Sequence, residues 1–92
     1  MYVLSNMLIG ISTAVELGAA LRATRLALGK TQIQLATQIG CRRQTIGDLE
    51  AGRNVEIYTL MQVLAALGKG LRIVDAFPEL DQLVEMFREE DE

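Results

Sequence analysis

Between residues 13 and 68, apolar residues recur at helical spacing in successive stretches that close on Gly29, Gly40, Gly52 and Gly68. Thr13 and Glu16 form a capping box ahead of Val15, Leu17, Leu21 and Leu28, with small Ala19, Ala20, Ala23 and Ala27 between them, which predicts a helix over 13–28. Thr31 and Gln34 repeat that signal before Leu35, Ala36 and Ile39 and predict a second helix over 32–39. Ile46 and Leu49 sit three apart and predict a third over 42–50, which turns Arg43, Gln44, Gly47 and Asp48 away from the core. Leu60, Val63, Leu64 and Leu67 predict a fourth over 57–67.

Beyond Gly70 the pattern changes. Leu71 and Ile73 alternate with Arg72 and Val74, which predicts one short strand over 71–74. A lone strand leaves backbone donors and acceptors unpaired, so it needs a partner. Pro78 suits a first helical turn, and Leu80, Leu83, Val84 and Phe87 give a last helix an apolar stripe before the terminal acids. The apolar start, Tyr2 to Ile11, suits either a further strand or packing on a dimer, and Met7 is an alternative start. It lacks a basic leader and a cleavage site, and no stretch approaches the roughly 20 apolar residues of a membrane span, so a cytoplasmic protein is expected.

Composition narrows the chemistry. The 92 residues suit one domain, and with Tyr2, Tyr58, Phe77 and Phe87 as its only aromatics the core must be aliphatic. There is no His and Cys41 is the single thiol, which excludes a Cys/His zinc site, a His-activated nucleophile and an internal disulfide. No cofactor, metal or enzymatic activity is expected. The net charge of −3 hides a division: residues 22–53 carry +4, from Arg22, Arg25, Lys30, Arg42, Arg43 and Arg53 against Asp48 and Glu50, while residues 75–92 carry −7. A basic middle and an acidic tail suit two different partners; the tail equally suits solubility.

The segment TQIQLATQIGCRRQTIGDLEAGR, residues 31–53, joins two helices through about three residues. Ala36 permits close crossing and Gly40 the turn, the pattern of a helix-turn-helix. The string resembles the Xre family, the group of phage Cro and lambda-type repressors, through Thr31, Gln32, Leu35, Ala36, Gly40, Arg43, Gln44, Thr45, Ile46, Leu49, Glu50 and Gly52. The resemblance implies an all-α, lambda-repressor-like fold of about five helices whose third lies in the major groove of double-stranded DNA. It places base reading at Arg43, Gln44 and Asp48, flanked by Arg42 and Gly47. Arg suits guanine, Gln adenine, and Asp can accept from cytosine. It places phosphate contacts at Gln32, beside the Thr31 cap, and at Arg53, and a structural ion pair at Arg25 and Glu50.

The ending ALGKGLRIVDA is similar to that of HipB-type antitoxins, small Xre repressors encoded with a kinase toxin. That similarity implies that Leu71, Arg72, Ile73 and Val74 pair with the same strand of a second copy. Leu80, Leu83, Val84 and Phe87 then either seal the homodimer or dock on the toxin. The domains read as an extension over 1–12, a helix-turn-helix over 13–68, and a strand plus acidic helix over 69–92. Four positions depart from the family pattern: Arg42 stands where Ser or Thr caps the third helix, Gly47 weakens that helix, Ile33 is apolar where a charge is usual, and Ala51 stands where some relatives place a phosphate-binding polar residue. The expected function is a homodimeric repressor that reads an inverted repeat at its own genes and serves as the antitoxin of a pair. The alternatives are a free-standing Xre regulator and a protein-interaction module that kept the fold without reading DNA.

Overall fold

Four helices follow one another through short turns: α1 (Ala14–Ala27), α2 (Gln32–Ile39), α3 (Arg43–Glu50) and α4 (Ile57–Ala66). They belong to a computed structural model that describes residues 10–76, in which 12–72 form one compact unit. The expected N-terminal extension over Tyr2 to Ile11 lies almost wholly outside the described residues. So does the expected fifth helix carrying Leu80, Leu83, Val84 and Phe87. Among the described residues there is no strand, and Leu71, Arg72, Ile73 and Val74 carry no regular secondary structure.

Local chemistry sets the helix ends. The Thr13 hydroxyl accepts from the Glu16 amide at 3.1 Å, which caps one first-turn donor of α1, and Glu16 Oε1 accepts from the Ser12 amide, one residue before the cap, at 3.3 Å. At α2 the reciprocal box is complete: Thr31 Oγ1 accepts from the Gln34 amide at 3.0 Å and Gln34 Oε1 from the Thr31 amide at 2.8 Å. Gly40 then takes φ +75°, which lets the Cys41 amide turn back to the Ala36 carbonyl at 2.9 Å and starts α3 three residues later. The third helix begins at Arg43, one residue later than the sequence pattern suggests. Arg42 is its N-cap and makes no side-chain capping bond.

All four helices meet in an aliphatic core. Leu35, Ile46 and Val63 are fully buried, surrounded by Leu21, Ala36, Leu49, Leu64 and Leu67. Two features hold α3 in this frame from the α1 side. A Cβ on Gly18 would lie 2.5 Å from the carbonyl oxygens of Leu49 and Glu50, so the backbones of α1 and α3 meet there without an intervening side chain. About two turns further on, Arg25 Nε donates to Glu50 Oε2 at 2.6 Å and its Nη2 to Oε1 at 3.0 Å, with both side chains about 95% buried. Arg25 Nη1 also donates to the Lys30 carbonyl at 2.7 Å, tying the α1–α2 turn to the same point.

Burial alone would raise the Glu50 pKa, but hydrogen bonds from Arg25 and Gln32 and the charges of Arg25 and Arg22 outweigh it and hold the carboxyl below the usual range. The Arg25 pKa is raised by its hydrogen bond to Glu50, against the opposing effect of burial.

Two stability predictions follow from this bracing. Gly18→Ala forces a methyl into backbone and should cost about 1–3 kcal/mol in urea unfolding. Because Glu50 has a lower pKa folded than unfolded, its contribution is complete above the ordinary glutamate pKa of about 4.3 and is lost as pH falls through the folded value. Melting followed by circular dichroism should therefore show a steeper acid loss in the wild type than in Glu50→Gln. Equal acid slopes would contradict the linkage.

Candidate nucleic-acid interface

The sequence RQTIGDLE gives α3 two unlike faces. Ile46 and Leu49 go to the core, and helical spacing then directs Arg43, Gln44 and Gly47 outward. Arg42, Arg43 and Gln44 are all exposed, and their side chains make no hydrogen bond or ion pair with any described residue. Their donors and acceptors are therefore available at the N-terminal end of a helix whose opposite side is fixed. Gly47 continues this face one turn along, and a Cβ there would meet only Gln32 Nε2, at 4.0 Å.

Asp48 is arranged differently from these four. Its Oδ1 accepts from Arg53 Nη1 at 3.1 Å, and its carbonyl accepts from the Arg53 amide at 2.8 Å. The expected base reader and the expected phosphate anchor thus hold each other. The Arg53 side chain is 70% exposed, so the pair is screened by water and is worth about 0–1 kcal/mol.

Beside α3 stands the N-terminus of α2. Thr31 is exposed but spent on its capping box, while the first-turn amides of Gln32 and Ile33 precede the intrahelical ladder. Gln32 Nε2 donates to Glu50 Oε1 at 3.1 Å, which fixes the side chain and leaves one amide hydrogen for another acceptor. Gln32 is thereby a third member of the Arg25–Glu50 cluster, a role that sequence spacing did not indicate. An open groove here is lined by Arg22, Lys30, Thr31, Gln32, Ile33 and Arg43. Lys30 is anchored to Gln38 Oε1 at 3.0 Å and the Ala66 carbonyl at 3.1 Å, whereas the side chain of Arg22 is exposed and acts on Glu50 through its charge, with no hydrogen bond or salt bridge to a described residue. The groove therefore gathers positive charge beside a positive helix end, an arrangement that attracts an anion.

Cys41 is half-buried against the core with its thiol pKa raised by burial, which makes it a poor nucleophile. Exposed Ile57, Tyr58 and Met61 form an apolar face on α4 outside the stripe of Leu60, Val63, Leu64 and Leu67 that the sequence predicts for this helix. Among the described residues, no group of His, Cys, Asp and Glu could hold a metal ion, and no helix is long and apolar enough to cross a membrane.

Comparison with known proteins matches the helix-turn-helix family over residues 21–74. A comparison with curated proteins finds no match. Among solved structures, the chain is similar to HipB in a HipB–O4 20mer complex, with 30% identity over 72% of this chain and 94% of that one and a TM-score of 0.67. It is likewise similar to a chain of a HipA–HipB–O2–O3 complex, with 29% identity over 71% of this chain and 93% of that one and a TM-score of 0.66. The matched span holds the capped helix α2, the Gly40 turn and the outward face of α3, and the chain belongs to the Xre-like helix-turn-helix family of DNA-binding regulators.

Proposed function

We propose that this protein is a sequence-specific repressor that binds double-stranded DNA as a homodimer and acts as the antitoxin of a toxin–antitoxin pair, regulating its own genes through an inverted repeat. The observation that carries the DNA-reading part is the exposed, unpartnered set Arg42, Arg43 and Gln44 on a helix braced from behind by Ile46, Leu49 and the Arg25–Glu50 pair.

In this reading α3 enters the major groove. Arg43 and Gln44 pair with base edges, Arg42 lies at the groove wall, and Gly47 lies on the groove side. Gln32 gives its remaining amide hydrogen to a phosphate at the α2 N-terminus, next to the Thr31 cap. Arg53 leaves Asp48 for a second phosphate at little cost, because the exposed pair is weak, and Asp48 is then free to accept from a cytosine. The basic groove at Arg22 and Arg43 favours the same DNA side.

A second copy doubles the phosphate contacts, which a domain of net charge −3 needs for useful affinity. The exposed Ile57, Tyr58 and Met61 face and the exposed, strand-patterned segment Leu71–Val74 support self-association. The similarity to HipB, which one of the solved complexes contains together with HipA, supports a co-encoded toxin as the protein partner. The helix expected to carry Leu80, Leu83, Val84 and Phe87 belongs to the dimer or to that partner.

Fluorescence anisotropy with the duplex upstream of the gene, against a scrambled duplex at two salt concentrations, tests the reading. Specific binding should fall steeply with salt. Arg43→Ala and Gln44→Ala should each weaken it by about 1–3 kcal/mol with melting unchanged. Equal or absent binding to both duplexes would favour an interaction module instead, and unchanged affinity in both variants would remove α3 from the contact.

A further inference from the structure

Gly47 occupies the interior of an eight-residue helix, where glycine is the least favourable residue apart from proline. A structural need would explain it, and none is present. A Cβ at this position would meet one side-chain atom, Gln32 Nε2, at 4.0 Å, an ordinary contact distance, and the backbone does not take positive φ. The contrast with Gly18, the other glycine within a described helix, is direct: a Cβ there would strike two backbone oxygens at 2.5 Å. Gly18 is required by the fold and Gly47 is not. The same helix also starts without a side-chain cap at Arg42. Both stability losses fall beside Arg43 and Gln44, whose exposed side chains make no hydrogen bond or ion pair with any described residue.

We infer that the missing side chain of Gly47 serves the ligand: the α3 backbone approaches the base-pair edges at this point more closely than a Cβ allows. The inference rests on the DNA-binding reading and adds a specificity-determining position to it. What Gly47 presents is the apolar Cα–H surface of the helix. The group on the major-groove edge that complements an apolar surface is the C5-methyl of thymine, whereas the polar edges of the other bases would lose water there without gaining a hydrogen bond. Gly47 thus recognises a thymine by fit, between a base paired with Arg43 and one paired with Gln44.

The test uses the full chain and a duplex that the wild-type protein selects from a random pool. Gly47→Ala should melt about 4–8 °C higher than wild type, as expected for a helix-interior glycine replaced by alanine in a domain of this size. It should bind the selected duplex about tenfold or more weakly. Replacing the selected thymines one at a time by deoxyuridine, which removes only the methyl, should weaken wild-type binding at one position per half-site and leave Gly47→Ala insensitive there. A Gly47→Ala protein that is more stable and binds as tightly as wild type would overturn the inference. One that melts lower would also overturn it, by showing a structural need for glycine. If the wild type selects no sequence at all, the DNA-binding reading itself falls, an outcome distinct from selection followed by indifference to the variant.

Discussion

Glu50 carries its charge where water scarcely reaches it, and a buried carboxylate is tolerable only while opposite charge and hydrogen bonds surround it. Arg25 from α1 supplies two bonds and Gln32 from α2 a third, so the end of α3 is joined to both preceding helices at one point. Arg25 also holds the Lys30 carbonyl, which sets where α2 begins. Such a pair is not a strong source of net stability, since an apolar replacement of similar volume can do as well. Its consequence is orientation: the fork of a guanidinium against a carboxylate fixes direction as well as distance. The roll of α3 about its axis, and hence which side chains face outward, depends on it.

That bracing explains how α3 tolerates a sequence ill-suited to an isolated helix. Eight residues with no N-cap bond and an interior glycine would not hold a helix in water. Packing of Ile46 and Leu49, the close approach at Gly18 and the Arg25–Glu50–Gln32 cluster supply what local propensity lacks. Places where local rules fail without compensation nearby are where function is expected. Here Arg42, Gly47 and exposed Ile33 border the same α2–α3 surface, which contains the unpartnered Arg43 and Gln44.

Much of the frame was legible in the sequence because its signals are local. Thr13, Thr31 and Gln34 announce helix starts by chemistry that spans three residues, and Gly40 announces a stop by its own backbone, so α2 has the bounds its pattern suggests. Relations between distant residues were not legible in this way. The Gln32–Glu50 bond and the Asp48–Arg53 pair depend on rotamers chosen after the helices have docked, and Gly18 reads as one small residue among several until α3 lies against it. Within α4 the periodicity does separate the faces: Leu60, Val63, Leu64 and Leu67 form the predicted stripe and go to the core, while Ile57, Tyr58 and Met61 stay exposed. The alternation at Leu71–Val74 predicts a strand, and among the described residues there is none for it to pair with.

The central claim is that the outward face of α3, presented by a braced frame, is the surface that meets DNA. Nitrogen-15 NMR of the full chain, titrated with the selected duplex, tests it most directly. The account predicts the largest amide shifts at Gln32, Ile33, Arg43, Gln44 and Gly47, with the core amides of Leu35 and Val63 little changed. Shifts centred on Ile57, Tyr58 and Met61 with α3 silent would contradict it.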